Sequence, residues 1–315
     1  MATLSACGGD SGGDASLGEV EVVAFQAPSL GAFLPVIIED QELDLANDID
    51  LTFAYVTPDN YNTEFAAGHY QVGASAAPLS EALRTERDGE VTYMFNLFDY
   101  FGTVVTMDDS IQSLTDLDGH TLAAATGTTN YAMFEWFADR AGLDLDTVEA
   151  LNQTTPGLST MASTGRTDAT QLWEPAYSTL VHDNPDLRTI DIGIESWQEE
   201  FDTDRIPYLG VAAQLSWVED NAEQAQALYD TYVAAAEWTL ENPTEAAELI
   251  AAEIPGGDAS VIEDLIANND TRLRMHVTAA SELEEGLQAV FEAGQQTGYL
   301  SQDPPESIVY DGLED

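Results

Sequence analysis

Lysine is absent from this 315-residue chain. Its eight basic residues are all arginines, set against 58 aspartates and glutamates, for a formal charge of −50. Nucleic acid is excluded as a partner, because no basic patch exists to neutralise phosphates. Such a chain repels itself in dilute buffer. In about 1 M salt the Debye length is about 3 Å and most of that repulsion is screened, so the composition implies a salt-saturated, halophilic setting. Acidity alone would suggest disorder, but 44% of the residues are hydrophobic and apolar periodic segments run along the whole chain. Cysteine is almost missing: Cys7 is the only one, so no intramolecular disulfide can form. No run of about 20 apolar residues exists to span a membrane as a helix. The histidines His69, His120, His182 and His276 are scattered without metal-ligand spacing. No GxSxG, HExxH or P-loop pattern occurs. The chain is therefore expected not to be an enzyme and to need no metal or cofactor.

What is present begins at the amino terminus. Leu4-Ser5-Ala6-Cys7 resembles a lipobox, and Gly8 to Ser16 is a Gly-, Ser- and Asp-rich tether. A secretory signal carries an apolar stretch of about 7–15 residues, so an upstream segment encoding it is expected. Residues 1–17 are read as lipobox and tether, with Cys7 lipidated and the protein held on the outer face of the cell membrane.

The ordered part alternates strands and helices, which points to an α/β fold with parallel sheets. Strands are expected at Glu19–Gln26, Ile49–Val56 and Gln71–Ser75, with helices at Pro35–Glu42 and Tyr61–Ala67 between them. The order repeats: strands at Thr121–Ala125, Thr147–Asn152 and Asp168–Leu172, helices at Asn130–Ala141 and Leu158–Ser163. Ala66 to Pro78 can be laid on Ser163 to Pro175, with Gly68 and Gly165 ending a helix and a proline opening the next element in each copy. Tyr100–Thr106 and Tyr208–Gln214 read as paired crossover strands forming a hinge. Ala-rich amphipathic helices follow at Gln224–Leu240, Pro243–Ala252 and Ser281–Ala293, the first two broken at Asn242-Pro243. The expected architecture has two lobes joined by two hinge crossovers. Lobe 1 comprises residues 18–104 and 208–315, and lobe 2 residues 105–207.

Three segments carry a family resemblance. Asp109 to Gly119, DSIQSLTDLDG, looks like the "DSGI-x-SLADLKGK" segment of solute-binding proteins. Gly165 to Pro175 looks like their "G-x-x-DA-x-x-x-WEP", and Asn242 to Ala247 like their "NP-x-EAA". The chain thus resembles the nitrate/sulfonate/taurine and thiamine-pyrimidine binding group, the NMT1/THI5-like proteins, over about Gly18 to Leu300. Where the pattern has lysine, this chain has polar or acidic residues, as at Asp118 and His120. The resemblance implies a type II periplasmic binding protein fold and a monomeric substrate-binding component of an ABC importer. Its partners would be a small solute, the permease subunits and, through Cys7, the membrane. Members of the wider family that make the thiamine pyrimidine need a cysteine cluster, which one cysteine cannot supply.

In open α/β sheets ligands bind beyond the carboxyl ends of strands. Four loops meet that condition. They are the loop holding Pro28, Ser29 and Leu30, the stretch Ser75-Ala76-Ala77, the loop Thr126-Gly127-Thr128-Thr129-Asn130, and Trp173-Glu174. The loop from Thr126 to Asn130 is the anion candidate, since small and hydroxyl residues leave backbone N–H groups free at a helix start. Trp173 would cover an apolar or planar part of the solute, and Glu174 would meet an amine or face solvent. Tyr100 lines the cleft or packs in the core. Arg205, Arg272 and Arg274 are plausible anion partners, Arg166 a surface residue. The expected solute is a small anion or zwitterion of the nitrate, sulfonate or taurine class. The alternatives are a thiamine-pyrimidine precursor, held by Trp173 stacking and a Glu174 hydrogen bond, or a clamp-type extracellular sensor.

Overall fold

The structure, a computed structural model, describes residues 16–314. Cys7 and most of the tether lie outside the described residues.

The first strand, β1 (Glu19–Phe25), opens with Glu19 and Glu21 exposed and Val20 and Val22 buried, the alternation that fixes a strand's inner face. From Val22 to Ala24 all side chains are buried, because helices cover both faces of the sheet. After a short 3-10 turn come α1 (Phe33–Gln41), α2 (Leu43–Ala46), β2 (Asp50–Val56), α3 (Pro58–Ala66), β3 (Val72–Ala76) and α4 (Pro78–Thr85). α3 starts where the sequence supplies a cap: Thr57 accepts the Asn60 N–H and Pro58 occupies the first turn. The chain continues through β4 (Val91–Asp99) and β5 (Gly102–Thr106), then β6 (Thr121–Ala124), α5 (Thr129–Arg140), β7 (Glu149–Asn152), α6 (Thr155–Thr164), β8 (Ala169–Trp173), α7 (Ala176–Asp183), β9 (Arg188–Ile190) and α8 (Ser196–Phe201). It ends with β10 (Pro207–Gln214), α9 (Leu215–Asp220), α10 (Ala222–Glu241), α11 (Pro243–Glu253), α12 (Ala259–Ala267), a π-helical turn at Asn269–Leu273, β11 (Met275–Ala279) and α13 (Glu284–Gln296).

Two sheets result, a six-stranded one ordered β11-β4-β10-β3-β1-β2 and a five-stranded one ordered β7-β6-β8-β5-β9. They are mixed rather than purely parallel. β1 runs parallel to β2 and β3, but β10 is antiparallel to β3 and β4, β11 to β4, and β5 to β8 and β9. The long crossing strands force this, because a chain that leaves one sheet and returns inserts its strands against the βαβ direction.

The expected lobe boundary after Val104 falls inside β5, every residue of which pairs with β8 from Gly102↔Trp173 to Thr106↔Ala169. The chain therefore passes from one sheet to the other at Tyr100–Phe101. It returns between β9 and β10, and the two passages are stitched by the Tyr100 N–H donating to the Ile206 carbonyl at 2.8 Å.

One apolar cluster packs Val22, Leu34, Ile37, Phe95, Phe98, Tyr232 and Ile250 between the six-stranded sheet and α1, α10 and α11. A second joins Tyr61 and Phe65 of α3 and Leu287 of α13 to Tyr100, Val104, Phe134 and Phe137, so it is shared by both sheets. A third, with Leu158, Leu172 and Tyr177, lies under α6 and α7. Each fully buried Leu, Ile or Phe contributes about 1.5–3 kcal/mol by transfer from water. Among the described residues no helix is long and apolar enough to cross a membrane.

Candidate functional site

Register brings the predicted loops to common edges. β10 opposes β3 with Gly210↔Ala76, so Tyr208, two residues earlier on an antiparallel strand, sits at the carboxyl edge of the six-stranded sheet, just past Ala76 and Ala77. In the five-stranded sheet β6 and β8 align as Leu122↔Ala169 and Ala123↔Thr170, and carrying that register forward sets Thr126 level with Trp173. A hydrogen bond joins these edges, from Asn130 Nδ2 to the Tyr208 hydroxyl at 3.2 Å.

The start of α5 is the most anion-ready feature there. Thr128 caps the helix, its Oγ1 accepting the Tyr131 N–H at 3.3 Å and donating to the Ala125 carbonyl at 2.8 Å. The Thr126 N–H is taken by Asn152 Oδ1 at 3.1 Å. The N–H groups of Gly127, Thr129 and Asn130 meet no acceptor among the described residues, as expected in a helix's first turn. They add to a terminus carrying about +0.5 of a charge. Gly127 and Thr128 are exposed, Thr126 is half-buried, and Thr129 and Asn130 are buried.

Asn130 offers only its backbone to a solute. Its side-chain oxygen accepts from Gln171 Nε2 at 2.7 Å and its carbonyl from the same nitrogen at 3.1 Å. The Tyr100 hydroxyl reaches that carbonyl at 3.4 Å. Tyr100 is fully buried, stacked on Phe137 at 5.8 Å and edge-on to Tyr208 at 5.4 Å, so it braces the start of α5 and does not line open space. Burial pushes its phenol far up; burial also raises that of Tyr208, against hydrogen bonds to Asn130 and Thr129. Both stay neutral.

The other predicted residues divide. Pro28 is exposed and Ser29 half-buried, its hydroxyl accepting the Gly31 N–H at 3.3 Å. Leu30, Ser75, Ala76 and Ala77 are buried. The Ser75 hydroxyl accepts the Phe25 N–H at 2.9 Å. Trp173 is half-buried at the end of β8, packed against the cluster holding Leu172 and Tyr177.

Glu174 departs from expectation. Neither solvent-facing nor free for an amine, it is 1% exposed. It pairs with Arg272 at 2.9 Å and accepts from the Ser178 hydroxyl at 2.6 Å. Burial raises its carboxyl, opposed by Ser178 and Arg272. The candidate anion-binding arginines are likewise engaged. Arg205 Nε lies 2.7 Å from Asp99 Oδ2 and Arg274 3.9 Å from the same oxygen, with Asn96 Nδ2 donating to Oδ1 at 2.9 Å.

Gln171, Tyr208, Asp99 and Ser178 escaped sequence reasoning. A glutamine inside the β-prone run Asp168 to Trp173 was the one available signal, since a buried amide needs partners. At the opposite edge of the five-stranded sheet, His120 is less isolated than its spacing suggests, with one ligand atom each from Asp108, His120 and Asp168 within 4.8 Å of one another. Asp168 already accepts the Thr121 N–H and hydroxyl at 2.8 Å each, an anchor for the start of β6.

Residues 46–246 match the model of a family described as NMT1/THI5 like. No curated protein sequence matches the chain. Among solved structures the fold resembles the periplasmic aliphatic sulphonate binding protein SsuA from Escherichia coli (TM-score 0.73, 16% identity, 92% of this chain and 90% of that one). It also resembles the alkanesulfonate-binding protein SsuA from Xanthomonas axonopodis pv. citri bound to MOPS (TM-score 0.71, 14% identity, 94% and 98%). A third similar structure is the ligand-binding component of an ABC-type import system from Staphylococcus aureus (TM-score 0.69, 10% identity, 94% and 96%). The two-lobed, type II periplasmic binding protein fold is common ground for the chain and these proteins.

Proposed function

The chain belongs to the NMT1/THI5-like family, and from that premise we propose that it is the solute-binding component of an ABC importer, not an enzyme. It captures a small anionic or zwitterionic solute of the sulfonate, taurine or nitrate class outside the cell and delivers it to the permease. The two sheets with their helices are the lobes, and the stitched passages at Tyr100–Phe101 and Ile206–Pro207 are the hinge. Cys7 anchors the protein to the membrane, and the acidity suits molar salt.

The observation carrying this reading is the set of unengaged amides at Gly127, Thr129 and Asn130. They stand at the edge where the two sheets meet, and neutral N–H donors at a helix start favour an anionic head. Trp173, level with Thr126, covers the rest of the solute. Solved neighbours named for sulfonate binding support the class. The pyrimidine reading needed a free Glu174, and Arg272 holds that carboxylate.

Titration calorimetry in molar KCl with ethanesulfonate, taurine, nitrate and a hydroxymethylpyrimidine tests the class. A solute at 100 times its Kd should also stabilise the fold by about 2.7 kcal/mol. Binding of the pyrimidine alone, or of none of the four, would overturn the assignment.

A further inference from the structure

Arg272 comes from the π-helical turn that precedes β11, an element of the six-stranded sheet. Its guanidinium ends at the first turn of α7, which follows β8 of the five-stranded sheet. Nε and Nη2 lie 3.1 and 2.9 Å from Glu174 Oε1. Nη2 also donates to the Ser178 hydroxyl, and Cζ stands 4.9 Å from the centre of the Tyr177 ring. Ser178 donates to both Glu174 oxygens, at 2.8 and 2.6 Å, and its N–H to one of them at 3.1 Å. The Glu174 side chain is 0% exposed and that of Arg272 27%. Glu174 lies in the connection just before α7, and Tyr177 and Ser178 lie in the first turn of that helix. Together they make a cage for a planar cation, with one carboxylate oxygen taking two guanidinium N–H groups, an aromatic ring and a hydroxyl.

We propose that Arg272 and the Glu174–Tyr177–Ser178 cage form a latch that holds the two lobes closed without a solute. The proposal rests on the two-lobed clamp reading above. Arg272 and Glu174 belong to elements of different sheets, so their pair bridges the two lobes. A carboxylate as buried as Glu174 is costly without its cation. Separating the lobes returns both groups to water but forfeits the aromatic face and the two N–H bonds that converge on Glu174 Oε1, so geometry, not net charge, favours closure. The latch acts equally on empty and filled closed forms. The empty closed form dominates, so removing the latch opens the empty protein, speeds solute entry, and lowers affinity only by the part of the lost closure energy that exceeds the empty protein's own bias towards closure.

Pulsed dipolar spectroscopy of the empty protein tests this. Spin labels are placed at Ser163→Cys and Glu248→Cys, both exposed, in a Cys7→Ser background in molar KCl. The unaltered latch should give a predominantly short separation. Arg272→Ala and Glu174→Gln should each move most of the distribution to longer separations. Ethylguanidinium, which supplies the missing planar cation, should restore the short separation in Arg272→Ala and not in Glu174→Gln. The proposal is overturned if the parent protein is already open, if a folded Arg272→Ala keeps the parent distribution, or if ethylguanidinium fails to reverse its opening. Should Arg272→Ala not fold, an unchanged distribution in the near-isosteric Glu174→Gln overturns it alone. No solute enters these measurements, so a failed latch leaves the solute-binding reading standing, and an intact latch in a protein that binds no sulfonate sinks only that reading.

Discussion

Gly31→Ala should disturb the loop that carries Pro28 and Ser29 through a contact that a Cβ cannot share. A Cβ on Gly31 would overlap the Ser75 hydroxyl oxygen and stand 3.2 Å from Ser75 Cβ and 3.3 Å from Phe25 Cβ. The hydroxyl is not free to swing away. The backbone pairing of β1 with β3 stops at Val23↔Gly73, and Ser75 takes over by accepting the Phe25 N–H at 2.9 Å. Rotating Ser75 leaves that partly buried N–H unpaired, which costs about 1–3 kcal/mol. Overpacking against the two Cβ atoms adds about 1 kcal/mol, at the low end for a well-packed site. Gly31→Ala should therefore destabilise by about 2–4 kcal/mol and Ser75→Ala by about 1–3 kcal/mol. Both lose the same hydrogen bond, and removing the hydroxyl relieves the worst overlap, so the double variant should cost about 1–3 kcal/mol less than the sum. Urea unfolding of all four proteins in molar KCl measures the cycle. Additivity within about 0.5 kcal/mol would show that Gly31 and Ser75 do not compete for one space, and the steric account of this loop would be wrong.

Three further outcomes are expected. Trp173→Ala should weaken solute binding by about 1–3 kcal/mol, as for an aromatic anchor, and binding equal to the parent's by calorimetry would return Trp173 to the core. Circular dichroism should show a cooperative melt in molar KCl and loss of native signal in dilute buffer, given the charge of −50; a full native melt at low salt refutes the halophilic reading. Asp168 is held below the usual carboxylate range, chiefly by the Thr121 N–H. A carboxyl whose folded pKa is depressed adds stability above its unfolded pKa and loses it as pH falls through the folded one. Asp168→Asn should thus flatten the acid limb of melting temperature against pH, and an unchanged limb would rule out this carboxyl as a contributor.

Local signals carried most elements of the fold to within a few residues. Alternation in Glu19 to Val22 marks β1, Thr57-Pro58 starts α3, and Gly165, in the left-handed region at φ 58°, ends α6. The DSIQSLTDLDG segment was legible because its physics is local: Ser113 and Asp116 cap each other's turn while Ile111, Leu114 and Leu117 are buried. β4, β9 and β11 were not legible. β4 is buried along its whole length and lies between β10 and β11, pairings that form only after the chain has made its full excursion through the other sheet. The site divides in the same way. The free amides of α5 follow from a Thr-Gly-Thr-Thr run at a helix start, a property of a few neighbouring residues. The fates of Glu174 and Asn130 depend on Arg272 and Tyr208, distant partners that no local pattern names.

The distant partners also explain how anion recognition and acidity coexist. With 58 carboxylates and eight arginines, cations for buried acids are scarce: Asp44 accepts the Leu51 N–H instead, while the other buried acids reach an arginine. Among the described residues Glu81 takes Arg84, Asp99 takes Arg205 and Arg274, and Glu174 takes Arg272. The arginines nearest the two passages are thereby bound to the protein's own acids, and a solute anion would have to displace a buried carboxylate to reach them. Backbone N–H groups at the start of α5 carry no such competitor. Their dipoles act at contact distance, where molar salt screens little, while the repulsion of many remote carboxylates is screened beyond about 3 Å. Cations therefore hold the frame and neutral donors meet the solute, and the chain's high negative charge is compatible with an anionic ligand because the two tasks fall to different groups.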